Sequence, residues 1–332
     1  MAGGSIPADD GLARRGFTLV EVMVVVAILA TLMVLLVPAV QSARESARRV
    51  SCINNQRQLT LAVIGFGETN GFVPGWRNEL RISGTFIYPA WPVMIMPFAD
   101  MSTLYNRITS GNVSAYNSLQ TSGTGVVVMS FICPSRPREN TDPRTTLSYA
   151  GNCGSGSNGV VSRFSGVMLD TSGTTMASGI RLGRVSLADI SAGDGTGNTA
   201  FLSEKSVSRN ELIFPQGVWT GTSTTGTSCT FATVTGPNTY VPGFGLATVS
   251  GMPLNALSLG GPSEVGLVNA PSSNHPAGVV MSFGDGRAQF VAETLQPQVY
   301  AQLLSWNHGQ AKAAAPYSTW VGTYSVLQET DY

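Results

Sequence analysis

Charged residues and histidines are scarce in this chain of 332 residues. Charged residues make up 11% of it, less than half of the roughly 25% that is usual in soluble domains. The two histidines, His275 and His308, leave little material for a catalytic triad or a histidine-rich metal centre. Positive and negative residues balance at 19 each, and basic residues cluster only in "ARESARR". The sequence therefore lacks the basic surface that nucleic-acid binding requires.

Motifs of common enzyme classes are absent or stand in the wrong context. No G-x-S-x-G nucleophile motif occurs. The string "GSGSNG" at residues 154–159 fits the dinucleotide-binding pattern G-x-G-x-x-G. However, the following "VVSRFSGVM" is strand-like, whereas that pattern must open a helix. We therefore expect that the protein is not an enzyme and uses no cofactor.

The four cysteines do not form a zinc motif. Cys52, Cys133, Cys153 and Cys229 include no C-x-x-C pair and have no histidine at zinc-ligand spacing. An even number of cysteines in an exported domain favours disulfides, and buried free thiols are the alternative. Four cysteines allow three connectivities, and their spacing does not choose among them.

One long apolar run, "FTLVEVMVVVAILATLMVLLV", lies near the N terminus and carries a single charge, Glu21. As a helix with a rise of about 1.5 Å per residue, it reaches roughly 30 Å, the thickness of a bilayer core. No Ala-x-Ala cleavage pattern follows Val37, so the run does not resemble a removable secretion signal. We therefore expect a membrane-spanning segment.

Glu21 has two interpretations. An acid within a span costs on the order of 2.5–3.5 kcal/mol on insertion scales, so such a residue usually has a function. Glu21 also lies about one turn from the start of the run, where a side chain reaches the interface and a helix N terminus favours negative charge. Arginines flank both ends of the run, so the charge pattern leaves the orientation of the span open.

The helix is expected to continue beyond the span. In "QSARESARRVSCINNQRQLTLAVIGF", apolar and small residues recur at intervals of three or four; they are Ala43, Ala47, Val50, Leu61 and Ile64. Pro38 precedes this segment, and we expect it to bend the helix without ending it.

The remainder of the chain predicts an α+β domain with long loops. Strand-like runs alternate with clusters of Gly, Ser, Thr and Asn; the runs are "GVVVMSFICP", "TAFLSE", "IFPQGVW" and "GVVMSF". "VVMSFGDGRAQFVAE" predicts a hairpin in which Gly284 and Gly286 supply positive φ values and Asp285 bonds the turn backbone. The stretch from about residue 221 to 270 has the least pattern, and we expect an extended insertion there.

Two polar segments are candidates for ligand binding. His275 is a ligand or an acid/base group, or else a structural residue whose ring bonds a nearby carbonyl. Asp194, Thr196 and Asn198 offer oxygens that suit calcium, but the segment lacks the full loop and the terminal bidentate glutamate of an EF-hand. We therefore expect no resident metal and keep Asp194 and Asn198 as the calcium candidate.

The segment "RRGFTLVEVMVVVAILATLMVLLVPAV" resembles the N terminus of type IV pilins and type II secretion pseudopilins. In that family a leader ends in Gly, a peptidase cuts before a residue whose new amine is methylated, and a Glu occupies the fifth mature position. The resemblance implies cleavage between Gly16 and Phe17 and methylation of Phe17. It also implies that Glu21 pairs with the amine of a neighbouring subunit during assembly, and that Pro38 is the helix-bending proline.

A second resemblance covers almost the whole mature chain. Six blocks occur in the order seen in the DUF1559 family of pilin-like proteins; they are "CINNQRQLTLAV", "WPVMIMPFADMSTLYN", "FICPS", "LSYAGNCG", "DGTGNTAFLSE" and "SSNHPAGVVMSFGDGRAQFVAETL". The resemblance implies a pilin-like fold in which a long N-terminal transmembrane helix packs on an antiparallel β-sheet domain. It also implies a disulfide between Cys52 and Cys133, with Cys153 and Cys229 as a possible second pair.

These resemblances imply a leader (1–16), a transmembrane segment (17–40), a helix extension (41–70) and an exported globular domain (71–332). The expected function is that of a membrane-anchored structural subunit of a type IV pilus or type II secretion pseudopilus. Its expected partners are prepilin peptidase, other pilin-like subunits and membrane lipid. We expect it to cross the inner membrane once, with the C-terminal domain in the periplasm or on the cell surface. The alternative is a cargo- or ligand-binding surface module that uses the same anchor and does not polymerise.

Overall fold

The structure is a computed structural model. It describes residues 18–75, 78–82, 84–87, 89–109, 128–135, 147–152, 156–157, 160–161, 164, 166–169, 171, 183–204, 243–244, 271, 273–295 and 297–313. The chain divides into two compact units, Met1–Ala47 and Arg48–Tyr332.

Helix α1, Leu19–Asn70, is the longest described element, at 52 residues, and contains Pro38. The prediction that the helix continues beyond the apolar run is therefore confirmed. Among the described residues, α1 is the helix that is long and apolar enough to cross a membrane. Apolar side chains from Leu19 to Val40 are exposed on every side of it.

The other elements are short and follow in chain order. The helices are α2 (Trp91–Ile95), α3 (Ser102–Thr109), α4 (Leu187–Ala192), α5 (Pro297–Leu304) and α6 (His308–Ala313). The strands are β1 (Leu80–Ile82), β2 (Thr85–Ile87), β3 (Tyr149–Asn152), β4 (Gly156–Ser157), β5 (Val160–Val161), β6 (Ala200–Glu204), β7 (Gly243–Phe244), β8 (Gly278–Phe283) and β9 (Ala288–Ala292). Short 3₁₀ helices cover Met96–Phe98, Met129–Phe131 and Thr196–Asn198.

A five-stranded sheet with the order β7-β3-β6-β8-β9 forms the centre of the second unit. The pairs β3–β6, β6–β8 and β8–β9 are antiparallel. β7 pairs in parallel with β3. The expected α+β fold with an antiparallel sheet is confirmed, and β7 adds a parallel edge that the sequence did not predict.

Helices cover both faces of this sheet. Successive residues of a strand point to opposite faces, so neighbouring residues of β8 contact different helices. On one side of β8, Val280 belongs to the same apolar cluster as Leu59 and Val63 of α1. On the other side, Met281 packs with Leu303 and other residues of α5. Every residue of β8 is therefore buried.

The C-terminal part of α1 packs on the sheet through a stripe at helical spacing. Its buried residues are Cys52, Gln56, Leu59, Thr60, Ala62, Val63, Phe66 and Gly67. Gln56 Nε2 donates a hydrogen bond to the Val280 carbonyl at 2.9 Å, and Thr60 Oγ1 donates to Ser282 Oγ at 2.5 Å. Two polar side chains thus attach the helix to β8.

The predicted hairpin is confirmed as β8–β9. Gly286 has the positive φ of 87° that the turn needs, and the Arg287 N–H donates to Asp285 Oδ1 at 3.0 Å. Gly284 has a different role from the expected one, because a Cβ at this position would lie 2.7 Å from Phe201 Cε1. Close packing, and not a positive φ, accounts for glycine there.

The strand predicted for "GVVVMSFICP" is wrong over its described part. Met129–Phe131 is a 3₁₀ helix, and Phe131 is buried beside Trp91 with ring centroids 6.0 Å apart. The turn brings Cys133 to Cys52. The run "TAFLSE" forms β6, as predicted. The run "IFPQGVW", and the stretch from residue 221 to 270 apart from β7, lie outside the described residues.

A disulfide joins Cys52 of α1 to Cys133, the pairing proposed above, across a sequence separation of 81 residues. Cys153 and Cys229 lie outside the described residues. The bond ties the first buried residue of α1 to the segment that precedes β3.

We predict that Cys52→Ala lowers the free energy of unfolding by about 2–4 kcal/mol, because the cross-link restricts the unfolded chain. Denaturant unfolding in EDTA measures the loss. Cys133→Ala and the double variant should lose the same amount as the single variant, since each breaks the same bond. Additive losses, or peptide mapping that finds both thiols free, would contradict the prediction.

Candidate functional site

Four buried side chains that can ligate a metal meet in the second unit. They are Cys52 on α1, Cys133 after the second 3₁₀ helix, Glu204 at the end of β6 and His275 before β8. One nitrogen, oxygen or sulfur atom from each lies within 4.8 Å of the others. We refer to these four residues as the Cys-His-Glu cluster.

His275 is at the centre of the cluster and is 1% exposed. Its Nε2 lies 3.3 Å from Glu204 Oε1 and 3.4 Å from Cys133 Sγ. Its Nδ1 lies 3.3 Å from Ser135 Oγ, and its backbone N–H donates to Ser273 Oγ at 3.0 Å. Both ring nitrogens therefore have defined neighbours, and Nε2 is the one directed at the cluster.

Glu204 is 1% exposed and is held by the neighbouring strand. The Val280 N–H donates to its Oε2 at 2.9 Å. Tyr149 lies opposite Glu204 in the β3–β6 pair, and its hydroxyl accepts a bond from Asn55 Nδ2 at 3.5 Å. Burial, with a smaller contribution from the Glu204 charge, raises the pKa of Tyr149 far above its ordinary value, so this phenol stays neutral.

Sequence reasoning named three of these four residues; the resemblance implied a pair of Cys52 with Cys133, and nothing connected His275 to that pair. It left His275 open as a ligand or a structural residue, and it did not single out Glu204. The available signal was that all four fall in blocks that resemble one family, namely "CINNQRQLTLAV", "FICPS", "DGTGNTAFLSE" and "SSNHPAGVVMSF". The structure shows that these blocks meet at one point in the core.

Thr18 and Glu21 form a capping box at the start of α1. The Thr18 N–H and hydroxyl both donate to Glu21 Oε2 at 2.8 Å, and the Glu21 N–H lies 3.3 Å from Thr18 Oγ1. The pattern T-x-x-E is a known helix-start signature, which sequence reasoning missed. Gly16 and Phe17 lie outside the described residues.

Asp194 and Asn198, the calcium candidate, form hydrogen bonds within the protein. Asp194 Oδ2 accepts hydrogen bonds from the His308 N–H at 2.7 Å and from Ser305 Oγ at 3.0 Å. Asn198 Nδ2 donates to the Asp194 carbonyl at 3.2 Å. The carboxylate thus caps the N terminus of α6, and the Asn198 amide braces the turn before β6.

The segment that follows "GSGSNG" was predicted to be strand-like, and its first residues, Val160–Val161, form a strand. Gly156–Ser157 pairs antiparallel with Val160–Val161, so the described residues directly after the glycines form a strand and not the helix that a dinucleotide site requires.

We predict that Asp194→Asn gains stability relative to wild type as the pH rises from 4 to 7. Burial raises the pKa of Asp194 despite its hydrogen bonds to His308 and Ser305. The folded state therefore holds the proton more tightly than the unfolded state, and the wild type loses stability as the pH rises through the window between the two pKa values. Asparagine keeps an acceptor and does not titrate.

Denaturant unfolding at both pH values, with EDTA and with added calcium, measures this difference. Asp194→Ala is the control, since it also removes the acceptor for α6 and should lose stability at both pH values. A functional calcium site would give the opposite result, a calcium-dependent loss of stability in Asp194→Asn at pH 7.

Comparison with known families gives two matches. The Prokaryotic N-terminal methylation motif matches residues 12–37. The Protein of unknown function (DUF1559) family matches residues 41–298, more than half of the chain. No curated protein and no solved structure shows a significant match.

These matches agree with the geometry described above. The methylation motif implies processing by a prepilin peptidase, and the apolar part of α1 fits a single-pass membrane anchor. Both families indicate a structural, pilin-like protein. The chain therefore belongs to the DUF1559 family, as a type IV pilin-like protein with a prepilin-type N terminus.

Proposed function

We propose that this protein is a membrane-anchored structural subunit that assembles through α1 with other pilin-like subunits, in a type IV pilus or a type II secretion pseudopilus. In this proposal residues 1–16 are removed, residues 17–40 span the inner membrane once, and the domain from residue 71 onward lies in the periplasm or on the cell surface. The protein acts without catalysis.

One observation carries the proposal: α1 continues as one helix from an exposed apolar part into a part that packs on the sheet. Val26, Leu29 and Met33 are each at least half exposed although they are apolar. A helix that is apolar all round must be covered by lipid or by other helices. Its C-terminal part cannot leave the domain, so whatever covers the N-terminal part also holds the domain in place.

The capping box supports a second role for Glu21. The cap uses Oε2 for both bonds from Thr18. Oε1 is not needed for the cap and can accept a hydrogen bond from the amine of a neighbouring subunit. A positively charged amine stabilises a carboxylate in apolar surroundings. Removing one member of such a buried pair leaves the other charge unpaired and costs several kcal/mol. The two interpretations of Glu21 are thus compatible: the residue caps its own helix and pairs after assembly.

Processing is the first test. We predict that the mature protein begins at Phe17 with a methylated amine, because Gly16 precedes Phe17 in a prepilin-type context. Replacing Gly16 with leucine should block cleavage, since a bulky residue would fill the position next to the scissile bond. Intact-mass measurement of membrane-extracted protein decides it. Gly11→Leu makes the same change elsewhere in the leader and should be cleaved normally. A wild-type mass that retains residues 1–16 in cells with active prepilin peptidase would contradict the prediction.

Glu21 variants test assembly. We predict that Glu21→Gln is inserted and cleaved normally but forms few filaments, because glutamine can complete a capping box yet carries no charge to pair with an amine. Thr18→Val removes the hydroxyl of the cap and keeps the charge, so it should assemble better than Glu21→Gln. Glu21→Ala loses both the cap and the charge, so it should assemble least. Sheared filament relative to membrane-retained monomer is the measurement.

Three outcomes of this series differ in meaning. Loss in Thr18→Val equal to that in Glu21→Ala would show that capping alone matters. Normal filament yield in all variants would refute a role for Glu21 in assembly. Anchored, exported and cleaved wild-type protein that never forms filaments would favour the alternative, a cargo- or ligand-binding module that does not polymerise.

A further inference from the structure

We propose that the Cys-His-Glu cluster binds one zinc ion when Cys52 and Cys133 are reduced. The inference is independent of filament assembly, because all four residues lie in the unit Arg48–Tyr332. No zinc motif marks it in the sequence, since the ligands come from segments far apart in the chain.

The distances suit a tetrahedral ion. Zinc binds thiolate, imidazole and carboxylate at about 2.0–2.3 Å, so neighbouring ligand atoms around it lie roughly 3.3–3.8 Å apart. His275 Nε2 is 3.4 Å from Cys133 Sγ and 3.3 Å from Glu204 Oε1. All four ligand atoms lie within 4.8 Å of one another. Reduction frees the two sulfurs to separate, and modest side-chain shifts then enclose an ion.

Glu204 supplies a second observation. Its Oε1 is buried and accepts no hydrogen bond from the described residues, although Oε2 accepts the Val280 N–H. A buried acceptor without a donor is costly. This oxygen lies beside His275 Nε2, where a metal ion would complete its bonding.

The surroundings of His275 are those of a metal ligand. Ser135 Oγ lies at the far nitrogen, Nδ1, at 3.3 Å. A partner at that position orients the ring and directs Nε2 toward a metal. Two thiolates make the donor set soft, which selects zinc over calcium or magnesium. Protein groups would fill all four coordination positions of the zinc ion, so the site would be structural and closed to substrate.

The disulfide and the zinc site exclude each other. A dithiol reductant breaks the S–S bond by passing two electrons and two protons to the sulfurs, and becomes a disulfide itself. Zinc binding then displaces the two thiol protons. In the reverse direction, the two thiolates give two electrons to an oxidising disulfide, which takes up two protons from the solvent and becomes a dithiol, while the Cys52–Cys133 bond re-forms and the ion is released. The core thus has two alternative cross-links at one position.

Metal titration of the full chain tests the proposal. Cys153→Ser and Cys229→Ser leave Cys52 and Cys133 as the remaining thiols, and this parent is purified in detergent without metal. After reduction with a phosphine, cobalt(II) is added as a probe whose thiolate bonds give a charge-transfer absorption. We expect one cobalt per chain, displacement by zinc, and no uptake by the oxidised parent. Absence of the band in the reduced parent, or equal uptake by the oxidised parent, would overturn the proposal.

A conservative variant tests the ligand set. Glu204→Gln keeps an oxygen for the Val280 N–H and removes the charged ligand, so its zinc affinity should fall at least about tenfold. Glu293→Gln makes the same change at an exposed position after β9 and should bind like the parent. Circular dichroism of the oxidised forms checks that both variants fold. A folded Glu204→Gln with the affinity of the parent would remove Glu204 from the site and refute the four-ligand arrangement.

Discussion

The burial of β8 on both faces is the constraint on which the rest of this structure depends. A strand with no exposed residue needs a layer on each side, and α1 and α5 supply those layers for β8. The C-terminal part of α1 is therefore part of the domain core. An N-terminal helix that served only as an anchor could be removed without harm, whereas removing this one would expose Val280, Phe201 and the rest of the apolar cluster around them.

Buried polar side chains give this packing its register. Asn152 Nδ2 donates to the carbonyls of Ala200 and Leu304, each at 2.8 Å, and so joins β6 to the end of α5. Gln56 and Thr60 do the same between α1 and β8. A slip of any layer would leave a buried donor or acceptor without its partner, at a cost of about 1–3 kcal/mol for each group. Apolar contacts alone would tolerate such slips more readily, because they are not directional.

The sequence predicted those elements whose signals are local. The length of the apolar run and its helical spacing predicted α1, and the G-D-G turn between apolar runs predicted the β8–β9 hairpin. The buried face of α1 was not predictable, since it includes polar Gln56, whose acceptor lies 224 residues away, while apolar Leu61 is exposed. Strand propensity also failed at Met129–Phe131, where packing against Trp91 and the link to Cys52 impose a turn. The Cys-His-Glu cluster depends wholly on the topology that brings four separate segments together.

The disulfide lies at the end of the buried part of α1, where the helix would begin to detach from the domain. Local opening is easiest where buried contacts are few, which in α1 is where its burial against the domain begins. Cys52 is the first buried residue of α1, and the buried stripe continues from it to Gly67. A covalent bond at Cys52 therefore holds the place where any pull on the N-terminal part of α1 would first act on the core. The hydrogen bonds of Gln56 and Thr60 lie one and two turns further on, so the cross-link stands between them and the exposed part of the helix.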